Sequence, residues 1–338
     1  MPHRTAPTLA LALLALAGTA AQAADHVVFA TNWKAQAAHG GFYQAVADGT
    51  YQRYGLDVQI RQGGPQVNNR PLLAAGRIDF LMTGNLLHSF DDAKNGVPVI
   101  VVASMFQKDP QALMAHPGAV AKFEDLAKLP VAYIAKDAQF SFWQWLKADY
   151  GFRDEALRPY NYNLGPFLAN PKSVQEGYAV EEPISVEQQG GFKPMVFLLA
   201  DHGYSTYSTT IEARTDMVKT NPDLVRRFVD ASIIGWNHYL YGDHHAADAL
   251  ILKDNPEMTQ ALIDRSLALM KQMGIVDSGD AQTQGIGAMN PARVKDFYDK
   301  MVHAGLYKPG EVDLSKVATY QFVNHGVGVA VREKLTGH

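Results

Sequence analysis

This sequence predicts an α/β protein made of two lobes, each a doubly wound mixed sheet flanked by helices, with extra helices at its C-terminal end. Three observations carry that expectation. Short apolar stretches alternate with helix-like stretches from His26 to Ala200, the order that builds sheets covered on both faces. VPVIVVASM (Val97–Met105) is apolar at consecutive positions, as a strand buried on both faces requires. From about Thr220 the apolar positions fall at helical spacing instead. At 338 residues the chain is also long enough for two lobes.

The elements follow in order. Residues 1–23 read as an export leader: Arg4 supplies positive charge, TLALALLALAG (Thr8–Gly18) an apolar run too short to span a bilayer, and AQA (Ala21–Ala23) a small-x-small cleavage site. HVVFA (His26–Ala30) is expected as a strand and FYQAVADGTYQRYG (Phe42–Gly55) as a helix. LDVQI (Leu56–Ile60) is the next strand, followed by the loop RQGGPQVNN. NRPLLAAGR (Asn69–Arg77) reads as a helix, with proline near its start and glycine near its end. IDFLM (Ile78–Met82) is a strand, TGN (Thr83–Asn85) a turn, LLHSFDDAKNG a helix, and VPVIVVASM the last strand of this unit.

FEDLAKL (Phe123–Leu129) and VAYIA (Val131–Ala135) restart the pattern in a second, smaller unit. FSFWQWLKADYG (Phe140–Gly151) is expected as a helix, RPYNYN (Arg158–Asn163) as a strand, PKSVQEGYAV (Pro171–Val180) as a helix and MVFLLA (Met195–Ala200) as the closing strand. Three helices end the chain, beginning at NPDL, MTQA and NPAR. On this division lobe I comprises residues 24–115 and 204–338, and lobe II residues 116–203.

Composition narrows the function. There is no cysteine, hence no disulfide and no site for a lipid anchor at the leader junction. Past the leader no apolar run approaches the roughly eighteen residues of a membrane span. Loss of Arg4 with the leader takes the net charge from −4 to −5, and an acidic chain without a basic stripe is no nucleic-acid binder. A monomeric periplasmic protein is the expectation.

Catalytic signatures are missing. No G-x-G-x-x-G, G-x-x-x-x-G-K-[ST], G-x-S-x-G or H-E-x-x-H occurs. His244-His245, in YGDHHAAD, reads as a surface pair in a polar helix connection, because a metal site needs further ligands converging on it. His116, before Pro117, reads as structural. No catalytic residue, metal or cofactor is expected. Ligands of open α/β sheets bind beyond the carboxyl ends of the strands, where TNWKAQAAHGG, RQGGPQV, TGN, MFQKDP, AKDAQFSFW, YNLGPF and YAVEEP lie. Their recurring aromatic and amide side chains suit a flat, polar-edged small molecule.

TNWKAQAAHGGFYQAVADGTYQRYGLDVQI resembles the opening of the ABC-transporter solute-binding family related to thiamine-pyrimidine-precursor synthases, whose cousins include sulfonate-binding proteins. Asn32-Trp33, His39-Gly40-Gly41-Phe42-Tyr43 and Tyr54-Gly55-Leu56-Asp57-Val58 fall in that family's order. LLAAGRIDFLMTGN and QEGYAVEEP are similar to its later blocks. The resemblance covers most of residues 26–240 and implies a type II periplasmic binding fold: two lobes, two crossovers, closure on a ligand, and delivery to an ABC permease in the inner membrane.

Carried over residue by residue, the resemblance makes Trp33 and Tyr178 the expected stacking pair, with Tyr43 either beside them or packed in the core. His39 stands where related synthases carry a histidine consumed as substrate; here it either bonds the ligand or is a satisfied buried histidine. Glu182 can accept two bonds from an aminopyrimidine, with Glu181 its solvated neighbour. Asn32, Thr83 and Asn85 lie at strand ends, as ligand contacts or as helix caps. Trp143 is expected at the cleft, and Phe140 and Trp145 in the small lobe's core. The synthases' cysteine-rich iron segment is missing, so the expectation is a binder and not an enzyme. Its expected ligand is a small aromatic heterocycle, a pyrimidine thiamine precursor. A sulfonate, nitrate or riboflavin-like solute, or a precursor-synthase-like enzyme, are the alternatives. An anion would want converging basic groups, whereas Lys34, Arg61, Arg70, Lys108 and Lys136 are scattered.

Overall fold

A computed structural model describes residues 23–64, 67–136 and 138–337, together with their side chains except that of Phe140. The expected leader therefore lies outside the described residues except for Ala23, and so does the Phe140 ring.

Among the described residues ten strands form two five-stranded sheets. They are β1 (Asp25–Ala30), β2 (Leu56–Arg61), β3 (Phe80–Asn85), β4 (Val99–Phe106), β5 (Gln111–Ala115), β6 (Val131–Ile134), β7 (Leu157–Pro159), β8 (Ser173–Tyr178), β9 (Met195–Leu198) and β10 (Ser208–Arg214). The first sheet has the order β2-β1-β3-β10-β4 and the second β7-β6-β8-β5-β9. In the first, β1 runs parallel to β2 and β3 while β10 is antiparallel to both its neighbours. In the second, β6 runs parallel to β7 and β8 while β5 is antiparallel to β8 and β9. Each sheet thus receives one strand delivered by the chain as it crosses between lobes. This is the two-lobed periplasmic binding architecture, both sheets mixed and flanked by helices.

The topology corrects four expectations. Because β5 pairs inside the second sheet, the first crossover follows Phe106 and not Ala115. The segment expected as a helix before Glu181 is β8, a strand buried from Ser173 to Gly177 with Gln175 and Glu176 inside; its buried polar residues hide the strand pattern. TGN is the end of β3 and not a turn. The expected single helix from Phe42 breaks at Gly49, which takes φ 74°, into Gly40–Ala47 and Thr50–Arg53.

The C-terminal helices begin where their capping residues stand. Asn221, Thr259 and Asn290 each accept a bond from a backbone N–H in the first turn of the helices Pro222–Tyr241, Gln260–Gln272 and Pro291–His303. The first buries Phe228, Trp236 and Tyr239 against the opening segment. A Cβ on Gly40 would lie 2.0 Å from the Tyr239 ring and one on Gly41 2.2 Å from the Trp236 ring. The glycine pair therefore serves helix packing, letting Gly40–Ala47 approach Pro222–Tyr241.

The other two helices touch both lobes. Ser266 Oγ donates to the Val180 carbonyl at 2.7 Å, and Arg265 pairs with Glu187. Arg293 donates to the carbonyls of Gln107, Ser205 and Thr206, pinning both crossovers, and lies 4.0 Å over the Tyr207 ring.

Candidate functional site

A cavity of about 240 Å³ lies between the carboxyl ends of the two sheets, where open α/β sheets take ligands. Its size suits a small solute. From the first lobe it is lined by Asn32, Trp33, Gln36, His39, Met82, Gly84 and Thr209, and from the second by Gln111, Ala135, Ala138, Tyr160, Tyr162, Glu176, Gly177, Tyr178, Glu181 and Glu182.

The turn after β1 presents the first-lobe face. Thr31 Oγ1 donates to the Trp33 carbonyl at 2.7 Å, and Gly63 N–H donates to the same carbonyl at 3.1 Å. This fixes the backbone from which the half-buried indole projects. His39, buried, keeps Nδ1 without a protein partner. Burial lowers its pKa to about 3, so the ring is neutral and offers a ligand one N–H and one lone pair.

The second-lobe face carries three carboxylates. Glu182 opens the helix Glu182–Gly190, where the helix dipole favours negative charge. Its Oε2 accepts from Tyr178 N–H at 2.6 Å and its Oε1 from the Tyr160 hydroxyl at 3.4 Å. Gly177 makes room for that fold-back: a Cβ there would lie 2.6 Å from Glu182 Cβ. Glu181, expected in solvent, instead lines the cavity with Oε1 buried and unpartnered. Burial and the neighbouring Glu182 push its pKa up to about 8, and burial raises Glu182 as well. No lysine or arginine lines this cavity among the described residues.

Aromatic rings close the mouth. Trp33 meets Tyr162 across the cleft at 5.4 Å between ring centroids, and Tyr162 meets Tyr160 at 5.3 Å. Tyr162 takes φ 58° and Thr209 φ 50°. Among the described residues three non-glycine residues have positive φ, and these two line the cavity. Backbone strain of this kind persists where the surroundings impose it, and it gathers at ligand sites.

The structure brings Asn32, Trp33, His39, Tyr178 and Glu182 together and leaves four expected residues elsewhere. Trp143 is a correction: it is fully buried in the second lobe, donating from Nε1 to Asp154 at 2.9 Å and packing on Phe152, because the helix Phe142–Tyr150 turns that face to the core. Tyr43 is likewise core, its hydroxyl donating to Asp254 at 2.8 Å. Thr83 bonds Thr210 across β3 and β10. Asn85 caps the helix Leu86–Lys94 and reaches Asp109 on the first crossover at 3.4 Å. Trp145 is in the core as expected. Sequence reasoning missed Gln111, Tyr160, Tyr162, Glu176 and Thr209. Tyr162 opens the strand-end segment YNLGPF, the one signal the sequence holds for it.

The family model described as NMT1/THI5 like matches residues 36–244. No curated protein matches the chain. Among solved structures, the periplasmic aliphatic sulphonate binding protein SsuA of Escherichia coli is 12% identical at TM-score 0.62, covering 87% of this chain and 92% of that one. A putative sulfonate-binding SsuA of Methylobacillus flagellatus KT is 13% identical at 0.60, covering 93% and 96%. The desulfurization enzyme DSZB is 11% identical at 0.55, covering 88% and 97%. At such identities the likeness is one of fold, and the fold carries both binders and an enzyme.

Proposed function

The chain belongs to the NMT1/THI5-like family, and from that premise we propose that it is the periplasmic substrate-binding component of an ABC importer. Its ligand is a small aromatic heterocycle bearing amino groups, a pyrimidine of the thiamine-precursor type. The observation that carries the ligand class is the cavity's lining: Glu176, Glu181 and Glu182 line it, and among the described residues no lysine or arginine does. The glutamate oxygens accept from ring amines, whereas a sulfonate or nitrate entering the same space would meet no cationic donor.

Trp33 and Tyr178 reach the cavity from opposite lobes and supply faces for stacking, each ring pair contributing about 0.5–1.5 kcal/mol beyond its buried area. Glu182, held by Tyr178 and Tyr160, receives the amine, and Asn32 and His39 serve the ring's edge. A ligand that touches both lobes gains its full interaction only when they close, so it shifts the population toward the closed form. The leader places the chain in the periplasm, and the closed form docks on an inner-membrane permease. No helix among the described residues is long and apolar enough to cross a membrane. The ligand leaves unchanged, with no cofactor.

Thermal melts against aminopyrimidines, flavins, alkanesulfonates and nitrate test this. At a hundredfold excess over Kd a ligand stabilises by about 2.7 kcal/mol, and the aminopyrimidines should produce that shift. A shift with sulfonates alone overturns the ligand class. Mass spectrometry of the mixture should return the ligand intact; a product would make the chain an enzyme.

A further inference from the structure

Outside the cleft, helix His245–Asp254 and helix Gln260–Gln272 bring three metal-ligand side chains to one point. Ligand atoms of His244, Asp248 and Asp264 all lie within 4.8 Å of one another. His244 Nδ1 is 2.7 Å from Asp248 Oδ2. Gln260 Nε2 donates to Asp248 Oδ2 at 2.7 Å and to Asp264 Oδ1 at 2.8 Å. The Asp248 side chain is fully buried, and its Oδ1 has no hydrogen-bond partner.

A second observation points to the same place. Tyr239 is fully buried, and its hydroxyl sits beside the Asp248 carboxylate. Its ring meets that of His244 edge-on at 5.5 Å. A buried carboxylate whose neighbours are a histidine, a glutamine, a tyrosine hydroxyl and a second aspartate, with no lysine or arginine in its hydrogen bonds among the described residues, is a place that can hold a cation.

We propose that His244, Asp248 and Asp264 form a divalent-metal site of the zinc type, separate from the solute cavity. One imidazole nitrogen and two carboxylate oxygens are a ligand set zinc accepts, with water in the fourth position. Tetrahedral ligands at about 2.0 Å stand about 3.3 Å apart, so a short inward movement of the exposed Asp264 completes the triangle. His244 carries its proton on Nε2, leaving Nδ1 for the metal. Gln260 keeps its two donations, since each carboxylate oxygen has a second lone pair. The metal ties the start of one helix to the helix whose Ser266 holds the Val180 carbonyl, next to the cavity glutamates.

The test uses chelator-stripped full-length protein and Zn²⁺ alone. Calorimetry should show one Zn²⁺ per chain and the melting temperature should rise. His244→Ala and Asp264→Asn should each weaken binding at least tenfold. Asp264 is exposed, so its variant keeps the fold should His244→Ala lose it. His245→Ala should bind as the wild type does, because exposed His245 pairs with Asp243 instead. No zinc heat, binding that survives Asp264→Asn, or binding that depends on His245 overturns the site.

Discussion

Replacing Glu181 by glutamine should make the protein more stable at alkaline pH and change nothing at acid pH. Burial and the Glu182 charge raise the Glu181 carboxyl from 4.5 to about 8. Below pH 4.5 it is protonated in folded and unfolded chains alike and costs nothing. Between 4.5 and about 8 the unfolded chain releases the proton while the folded one keeps it, so stability falls as pH rises. Above about 8 the folded protein bears the whole cost, about 5 kcal/mol at 1.36 kcal/mol per tenfold change in proton affinity. Glutamine has the same shape and no charge to bury. At roughly 2 °C per kcal/mol for a chain of this size, Glu181→Gln should melt about 10 °C above the wild type at pH 9 and together with it at pH 4. Glu212 and Asp109, raised by burial to about 7 and about 6, act in the same direction in both proteins and cancel in the difference. Paired melts across this range decide it: a difference that does not change with pH refutes the claim that Glu181 is a buried, charge-disfavoured carboxyl.

Four further outcomes follow from the same geometry. Gly177→Ala puts a Cβ 2.6 Å from that of Glu182, so Glu182 must swing out; ligand affinity should fall at least tenfold in calorimetry while circular dichroism stays native. Gly41→Ala drives a methyl into the fully buried Trp236 ring and should cost about 1–3 kcal/mol or more in urea unfolding. Trp33→Ala should weaken the ligand about tenfold or more with little change in melting, whereas Trp143→Phe, which loses the bond to Asp154 in the second lobe, should lower the melting temperature and leave affinity within twofold.

Much of the fold is legible in the sequence because β1, β2 and β4 are apolar enough to announce themselves, and because Asn221, Thr259 and Asn290 mark where helices begin. β5, β8 and β10 are not. β10 carries Thr209, Thr210 and the buried Glu212, and β8 buries Gln175 and Glu176, so neither shows a strand's apolar pattern. Missing those strands hides what they carry: Glu176 on β8, Thr209 on β10 and Gln111 on β5 reach the cavity only because of them. Asn32-Trp33, His39 and the Gly-Tyr…Glu-Pro block come to the cavity from local strand-end positions, which short motifs do encode. Side chains on a helix are harder: Trp143 and Tyr43 face the core because of what packs against their helices, and that packing is non-local.

A crystal structure of the protein with a bound aminopyrimidine tests the placement of the ligand most directly. The ring should sit between Trp33 and Tyr178 with its amine on Glu182. A ring bound outside the cleft, or in it with its amine turned away from all three glutamates, would contradict the account.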